Sequence, residues 1–147
     1  MQLAILAAAE LVERGFIALA ERLEPAAAGK GTPAQRLSRT GRQYVDFALE
    51  NPVQFRLMFR PELVDVARFP SVQRTGDRAF SVLTRLVHEQ PSRARLSAER
   101  KDAAVSLHWS VVHGLATLLL DGALGQRLVE KKERDRHVDR VLELFFA

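Results

Sequence analysis

The chain has 147 residues, is 47% hydrophobic and 27% charged, and carries a net charge of +4 with a pI near 10.1, which fits one globular domain with a substantial core. It has no cysteine, which excludes a disulfide framework and thiolate chemistry and suits a reducing cytoplasm. The basic balance comes mostly from arginines scattered along the chain, and the local set Arg36, Arg39 and Arg42 is continued by Asp46 and Glu50, so it reads as a solvated face rather than a nucleic-acid patch.

A first helix is predicted from Gln2 to Glu24, with Ile5, Ala9, Val12, Phe16, Leu19 and Leu23 alternating at four- and three-residue steps on one apolar face. Glu10, Glu13 and Arg14 near its start, with no basic leader or small-residue cleavage site, argue against a secretory signal. Gly15 lies inside this helix, and Pro25 is expected to end it. Thr32 as cap with Pro33 in the first helical position opens a second helix. Its inward set is Leu37, Gly41, Tyr44 and Ala48 flanked by Val45 and Phe47, with Arg39, Gln43, Asp46 and Glu50 outward. At Asn51-Pro52 the chain turns a corner, Asn51 being placed to cap a short helix from Pro52 to Phe59. That helix holds Val53, Phe55, Leu57, Met58 and Phe59, too much apolar bulk for a solvated turn. Glu62–Phe69 is irregular or a single turn. A fourth helix runs from Pro70 to Gln90, with Val72, Gly76, Ala79, Phe80, Leu83, Leu86 and Val87 inward, and stops at Pro91.

Ser97 caps the most informative helix, which Gly122 ends. On a wheel of 100° per residue, Ala104, Leu107, Val111, Gly114 and Leu118 share one side, and Val105, Trp109, Val112, Ala116 and Leu120 share the other. A narrow polar stripe of Ser106, Ser110, His113 and Thr117 separates them. A helix apolar nearly all round must be covered on both sides; in so small a chain the second cover is most simply another copy. The apolar run Leu107–Leu120 is short for a membrane span and contains histidines. The last helix, from Gln126 or Lys132 to Phe146, offers Val138, Val141, Leu142 and Phe145. A homodimer is therefore expected through residues 97–122 and 126–147, with Leu107, Val111, Gly114, Leu118, Val138, Val141, Leu142 and Phe145 in the seam.

No glycine-rich phosphate loop, His-Glu-x-x-His or nucleophile elbow is present, so neither catalytic residues nor a cofactor are expected. His108 and His113 are five apart and point about 140° away from each other on a helix, which argues against a shared metal. Trp109 and His113, one turn apart, instead suggest an aromatic wall with one polar anchor, as small-molecule pockets have. Tyr44, Phe47, Phe55, Met58, Phe59, Phe80 and Leu83 could complete that wall, although such a stripe can equally be plain core.

The segments Tyr44-Val45-Asp46-Phe47-Ala48-Leu49-Glu50-Asn51-Pro52 and Phe55-Arg56-Leu57-Met58-Phe59, then Trp109, His113-Gly114 and Leu118-Leu119-Leu120-Asp121-Gly122, resemble the C-terminal regulatory domain of TetR-family transcriptional regulators. Within that family the likeness is to the branch named for a Trp-His-Gly motif. Leu11-Val12-Glu13-Arg14-Gly15-Phe16 resembles the helix that follows the family's DNA-binding module. The resemblance covers nearly the whole chain. It implies an all-α helical bundle of about six helices, whose last two long helices form an intersubunit four-helix bundle. It also implies a cavity for a small hydrophobic or aromatic effector, and a cytoplasmic homodimer with no membrane partner. Residues 1–147 then form one effector-binding and dimerisation domain, the DNA contact being made only through an N-terminal helix-turn-helix module absent from this stretch. The alternative is a helical interaction protein that pairs with itself or with relatives and does not touch DNA.

Overall fold

The computed structural model describes residues 1–146. Among them are seven α-helices and no strands: α1 (Gln2–Ala28), α2 (Pro33–Glu50), α3 (Pro52–Met58), α4 (Pro70–His88), α5 (Ala98–Asp121), α6 (Ala123–Arg127) and α7 (Lys131–Phe146). Single 3-10 turns lie at Val66–Arg68 and Pro91–Arg93. The all-helical bundle expected from the sequence is present, with a short α6 between the last two long helices. α1 packs most extensively on α4 and α2, and α2 in turn on α5 and α7, so α2 is the central rod.

Local chemistry sets most of the boundaries. Thr32 and Gln35 form a reciprocal capping box, with Pro33 at the first helical position. Ser97 accepts a bond from the Arg100 amide, and Glu99 sits in the first turn of α5. Asn51 departs from expectation: its side chain does not cap α3 but bonds back to the Phe47 carbonyl at the end of α2.

Pro25 does not end α1, which continues to Ala28. The last turn survives because its carbonyls find partners on α2. Arg36 Nε donates to the Ala27 oxygen at 2.6 Å, and Arg39 Nε to that of Ala26 at 2.9 Å. Ala26 and Ala27 are buried there. Arg42 reaches the other way, to Asp46, Asp135 and Asp139, holding α7 against α2. The three arginines that read as a solvated face are thus the fasteners of the central helix.

Gly15 and Gly41 lie where helices approach closely. A Cβ at Gly15 would meet Met58 Sδ at 2.5 Å, so glycine lets α3 lie on α1. A Cβ at Gly41 would meet Leu142, Phe146 and Val112, each at 3.2 Å, where α2 touches both α5 and α7. The short α3 is tucked in as expected: Phe55 and Met58 are buried, while Val53 faces solvent.

The inward face of α5 is Ala104, Val105, His108, Val112, Leu115, Ala116 and Leu119. Leu107 and Leu118 are half exposed, at 51% and 50%, and no atom lies within 4 Å of a Cβ built on Gly114. By length and composition α5 could cross a membrane, further than the run Leu107–Leu120 alone suggested, but its inward face belongs to the bundle core. On α7 the sequence expectation needs correcting. Val138 and Leu142 are each 1% exposed within the protomer's own core, so they offer no area to a second copy. α7 leaves outward Leu144, 84% exposed, and the partly buried Val141 and Phe145.

Candidate functional site

At the centre of the bundle Tyr44 of α2 meets Trp109 and His113 of α5. The indole Nε1–H donates to the Tyr44 hydroxyl at 3.2 Å, and that hydroxyl lies 2.7 Å from His113 Nδ1. Burial keeps the imidazole neutral by lowering its pKa and pushes the Tyr44 phenol well above its ordinary range. With both groups neutral, one arrangement satisfies all three: the phenol accepts from Trp109 and donates to an unprotonated Nδ1. Were Nδ1 the donor, the phenolic hydrogen would be left without an acceptor. The one-turn spacing of Trp109 and His113 brings both to the same hydroxyl.

Around this triad lies an aromatic cluster. Phe59 stands edge-on to His113 at 4.7 Å between centroids, and Phe80 edge-on to Trp109 at 5.5 Å. Phe55 packs on Tyr44, Phe59 and His113.

Beside it lies a partly open cavity of about 320 Å³ among α1, α2, α4 and α5, with Phe59 and, from α7, Phe146 also in its wall. Five residues singled out in the sequence line it: Tyr44, Phe59, Phe80, Leu83 and Trp109. Phe80, assigned inward, is 41% exposed and stands at the cavity's edge. Met58 and His113 instead face a second, shallower depression beyond Phe59 and Trp109. Phe47 and Phe55 are 1% and 2% exposed, packed in the core, and line neither space; as ligand contacts they are corrected to core. The sequence reading missed the wall from α1 (Phe16, Leu19, Leu23) and the residues Thr40 and Gly41 of α2. The periodicity marked the α1 residues and Gly41 as inward, but nothing in it showed that the space they face is unfilled.

No charged side chain lines the cavity. The lining residues with polar side chains are Tyr44 and Trp109, which bond each other, and Thr40, whose Oγ1 is buried without a hydrogen-bond partner. His108, 5% exposed, bonds its own helix at the Ala104 carbonyl and packs on Phe145 and Phe146. The two histidines therefore serve different neighbours, and among the described residues no group of three His, Cys, Asp or Glu side chains could hold a metal ion. The arrangement places an apolar-lined space beside the hydrogen-bonded set Tyr44, Trp109 and His113.

No curated protein matches the sequence. Among solved structures, a protein with unknown function from Rhodococcus sp. RHA1 is similar, with a TM-score of 0.75 and 24% identity over 95% of this chain and 69% of its own. At that identity the likeness speaks for the fold. A family model described as the tetracyclin repressor-like, C-terminal domain matches residues 37–145, from α2 to the end of α7. With most of its length under that model and the same all-helical architecture, the chain belongs to the tetracyclin repressor-like C-terminal domain family.

Proposed function

We propose that residues 1–147 are the effector-sensing and dimerising domain of a cytoplasmic transcriptional regulator, and that DNA is contacted by a helix-turn-helix module outside these residues. The observation that carries the reading is the double use of α5. Its Trp109 and Val112 line an uncharged cavity, while Leu107, Gly114 and Leu118 present an uncovered apolar face. A ligand that favours one placement of α5 biases how two copies meet, and hence the spacing of whatever they carry. Within the family, Trp109 with His113-Gly114 supports the Trp-His-Gly branch.

The arginines fit this division of labour. Arg42, Arg56 and Arg78 each pair with a carboxylate of another helix, and Arg36 pairs with Glu89 just past the end of α4, so these four serve to hold the bundle together. A helical interaction protein remains the competing reading, and occupancy of the cavity separates the two. Trp109 is the only tryptophan, so its emission should change saturably when butylbenzene is added. Sedimentation at roughly tens of micromolar protein should show a dimer. A monomeric, well-folded chain whose emission ignores the hydrocarbon would remove the reading.

A further inference from the structure

We infer a second binding site, separate from the larger cavity: the depression beyond Phe59 and Trp109 takes a small ring-sized molecule through one oxygen that accepts a hydrogen bond from His113 Nε2–H. The hydrogen-bonded set fixes which imidazole nitrogen carries the proton. The indole of Trp109 can only donate, so the Tyr44 hydroxyl accepts from it at 3.2 Å, and the phenolic hydrogen goes to His113 Nδ1 at 2.7 Å. A neutral imidazole that accepts at Nδ1 holds its hydrogen on Nε2, and burial keeps both Tyr44 and His113 neutral. Among the described residues Nε2 has no hydrogen-bond partner, yet it is not one of the buried unpartnered atoms, so the partly buried ring brings it to the surface. The space that His113 lines is the depression of about 430 Å³ between α5 and the α3–α4 connection, walled by Met58, Phe59, Pro61, Val66 and Trp109. The other polar side chain there, Ser110, donates to the Ser106 carbonyl at 2.7 Å, and Trp109 Nε1–H is held by Tyr44. Among the described residues lining the depression, His113 Nε2–H is thus the side-chain donor left without a protein acceptor, set in an apolar wall that a ring can cover. Because the depression is open to solvent, a ligand oxygen exchanges for water on Nε2–H, and the donor contributes selectivity for an acceptor more than affinity.

The test uses acetophenone, ethylbenzene and benzoate, which share a ring and differ in whether the arm offers a ketone oxygen, no oxygen or a carboxylate. Nitrogen NMR of the imidazoles in the free protein should show His113 as the Nε2–H tautomer, and Tyr44→Phe should raise the share of the Nδ1–H form. Acetophenone should shift the His113 Nε2 resonance saturably, and by calorimetry ethylbenzene should bind about two- to tenfold more weakly, as for one net hydrogen bond. Asparagine sets an acceptor near the place of Nδ1 and offers nothing at Nε2, whereas glutamine reaches the place of Nε2. His113→Asn should therefore fold and lose the preference for the ketone, and His113→Gln should keep it. Val66→Phe, which fills the depression, should abolish acetophenone binding and leave the response of Trp109 to butylbenzene in the larger cavity. Benzoate tells the two oxygen sources apart: a carboxylate site binds it at least as tightly as acetophenone and raises the titration of His113, and a carbonyl site binds it more weakly. An Nδ1–H tautomer in the free protein, a ketone preference that survives His113→Asn, or ketone binding that survives Val66→Phe overturns the assignment. Failure of all three probes to bind removes the depression as a site, whereas a Trp109 emission that ignores butylbenzene concerns the larger cavity alone.

Discussion

The two faces of α5 are built from the same kinds of residue and have opposite surroundings. Inward, Val105, Val112, Leu115 and Leu119 are each at most 5% exposed and packed among α2 and its neighbours. Outward, Leu107 and Leu118 remain half exposed, and Gly114 borders open space. Apolar periodicity on a helix therefore reports how much cover is needed, while neighbouring helices decide which side receives it within one chain. Between the faces sit Trp109 and His113, whose Nε1 and Nδ1 meet the Tyr44 hydroxyl.

The comparison can be broken most severely by putting a charge on the inward face. Leu119→Asp buries an unpaired carboxylate in the core, at several kcal/mol. That is a large share of the stability of any small domain. Loss of a cooperative thermal transition, followed by circular dichroism, is the expected result.

The same kind of change one residue earlier should act differently. Leu118→Glu should leave helical content intact and convert the proposed dimer to protomers in sedimentation. Gly114→Ala should weaken the pairing without unfolding the protomer, since a Cβ there meets nothing else in the protomer within 4 Å. Unfolding by Leu118→Glu to the extent seen with Leu119→Asp would show that the outward face is no different from the core.

At the border, Tyr44→Phe orphans the Trp109 Nε1–H and His113 Nδ1 together. A cost of about 1–3 kcal/mol is expected from the loss of partners for part-buried groups, read as a lowered melting temperature and a shifted Trp109 emission. No change in either would mean that the triad contributes nothing to holding α2 on α5.

The smallest effect is one of pH. Burial lowers the pKa of both His108 and His113 from 6.5, and for His108 the nearby Arg93 charge adds to this against the opposing Ala104 bond. Between 6.5 and the depressed folded values, the unfolded chain takes up protons that the folded chain refuses. Stability should therefore fall as pH drops through that window and level off below it. Carboxylates such as Glu24 and Asp135, held low by Arg78 and Lys131 respectively, add their own loss only at more acidic pH. Melting temperatures measured from pH 7.5 downward should show a decline near 6.5 that His113→Gln makes shallower; a flat profile would contradict the burial of these rings.

Much of the site was legible because it depends on spacing along helices. Trp109 and His113 one turn apart, and Tyr44 on the inward face of α2, follow from the helical period alone. The roles within the cluster do not. Phe47 and Phe55 carry the same apolar signal as Phe59, yet two of them fill the core and one lines the cavity. Thr40 carried no signal, because a threonine inside a helix is unremarkable until its surroundings are known.

The sequence by itself determined the helices and their punctuation: Thr32-Pro33, Asn51-Pro52, Ser97 and Gly122 act through local backbone geometry, which needs only neighbours in the chain. It also showed α5 to be apolar on two sides. Tertiary structure alone decided that α1 runs past Pro25, that Val138 and Leu142 turn into their own protomer, that Arg36, Arg39 and Arg42 fasten α1 and α7 to α2, and that an unfilled space remains beside Thr40. Each of these depends on which surfaces meet across the bundle and how completely their side chains fill the gap, and a pattern along one helix carries information about only one of the two surfaces.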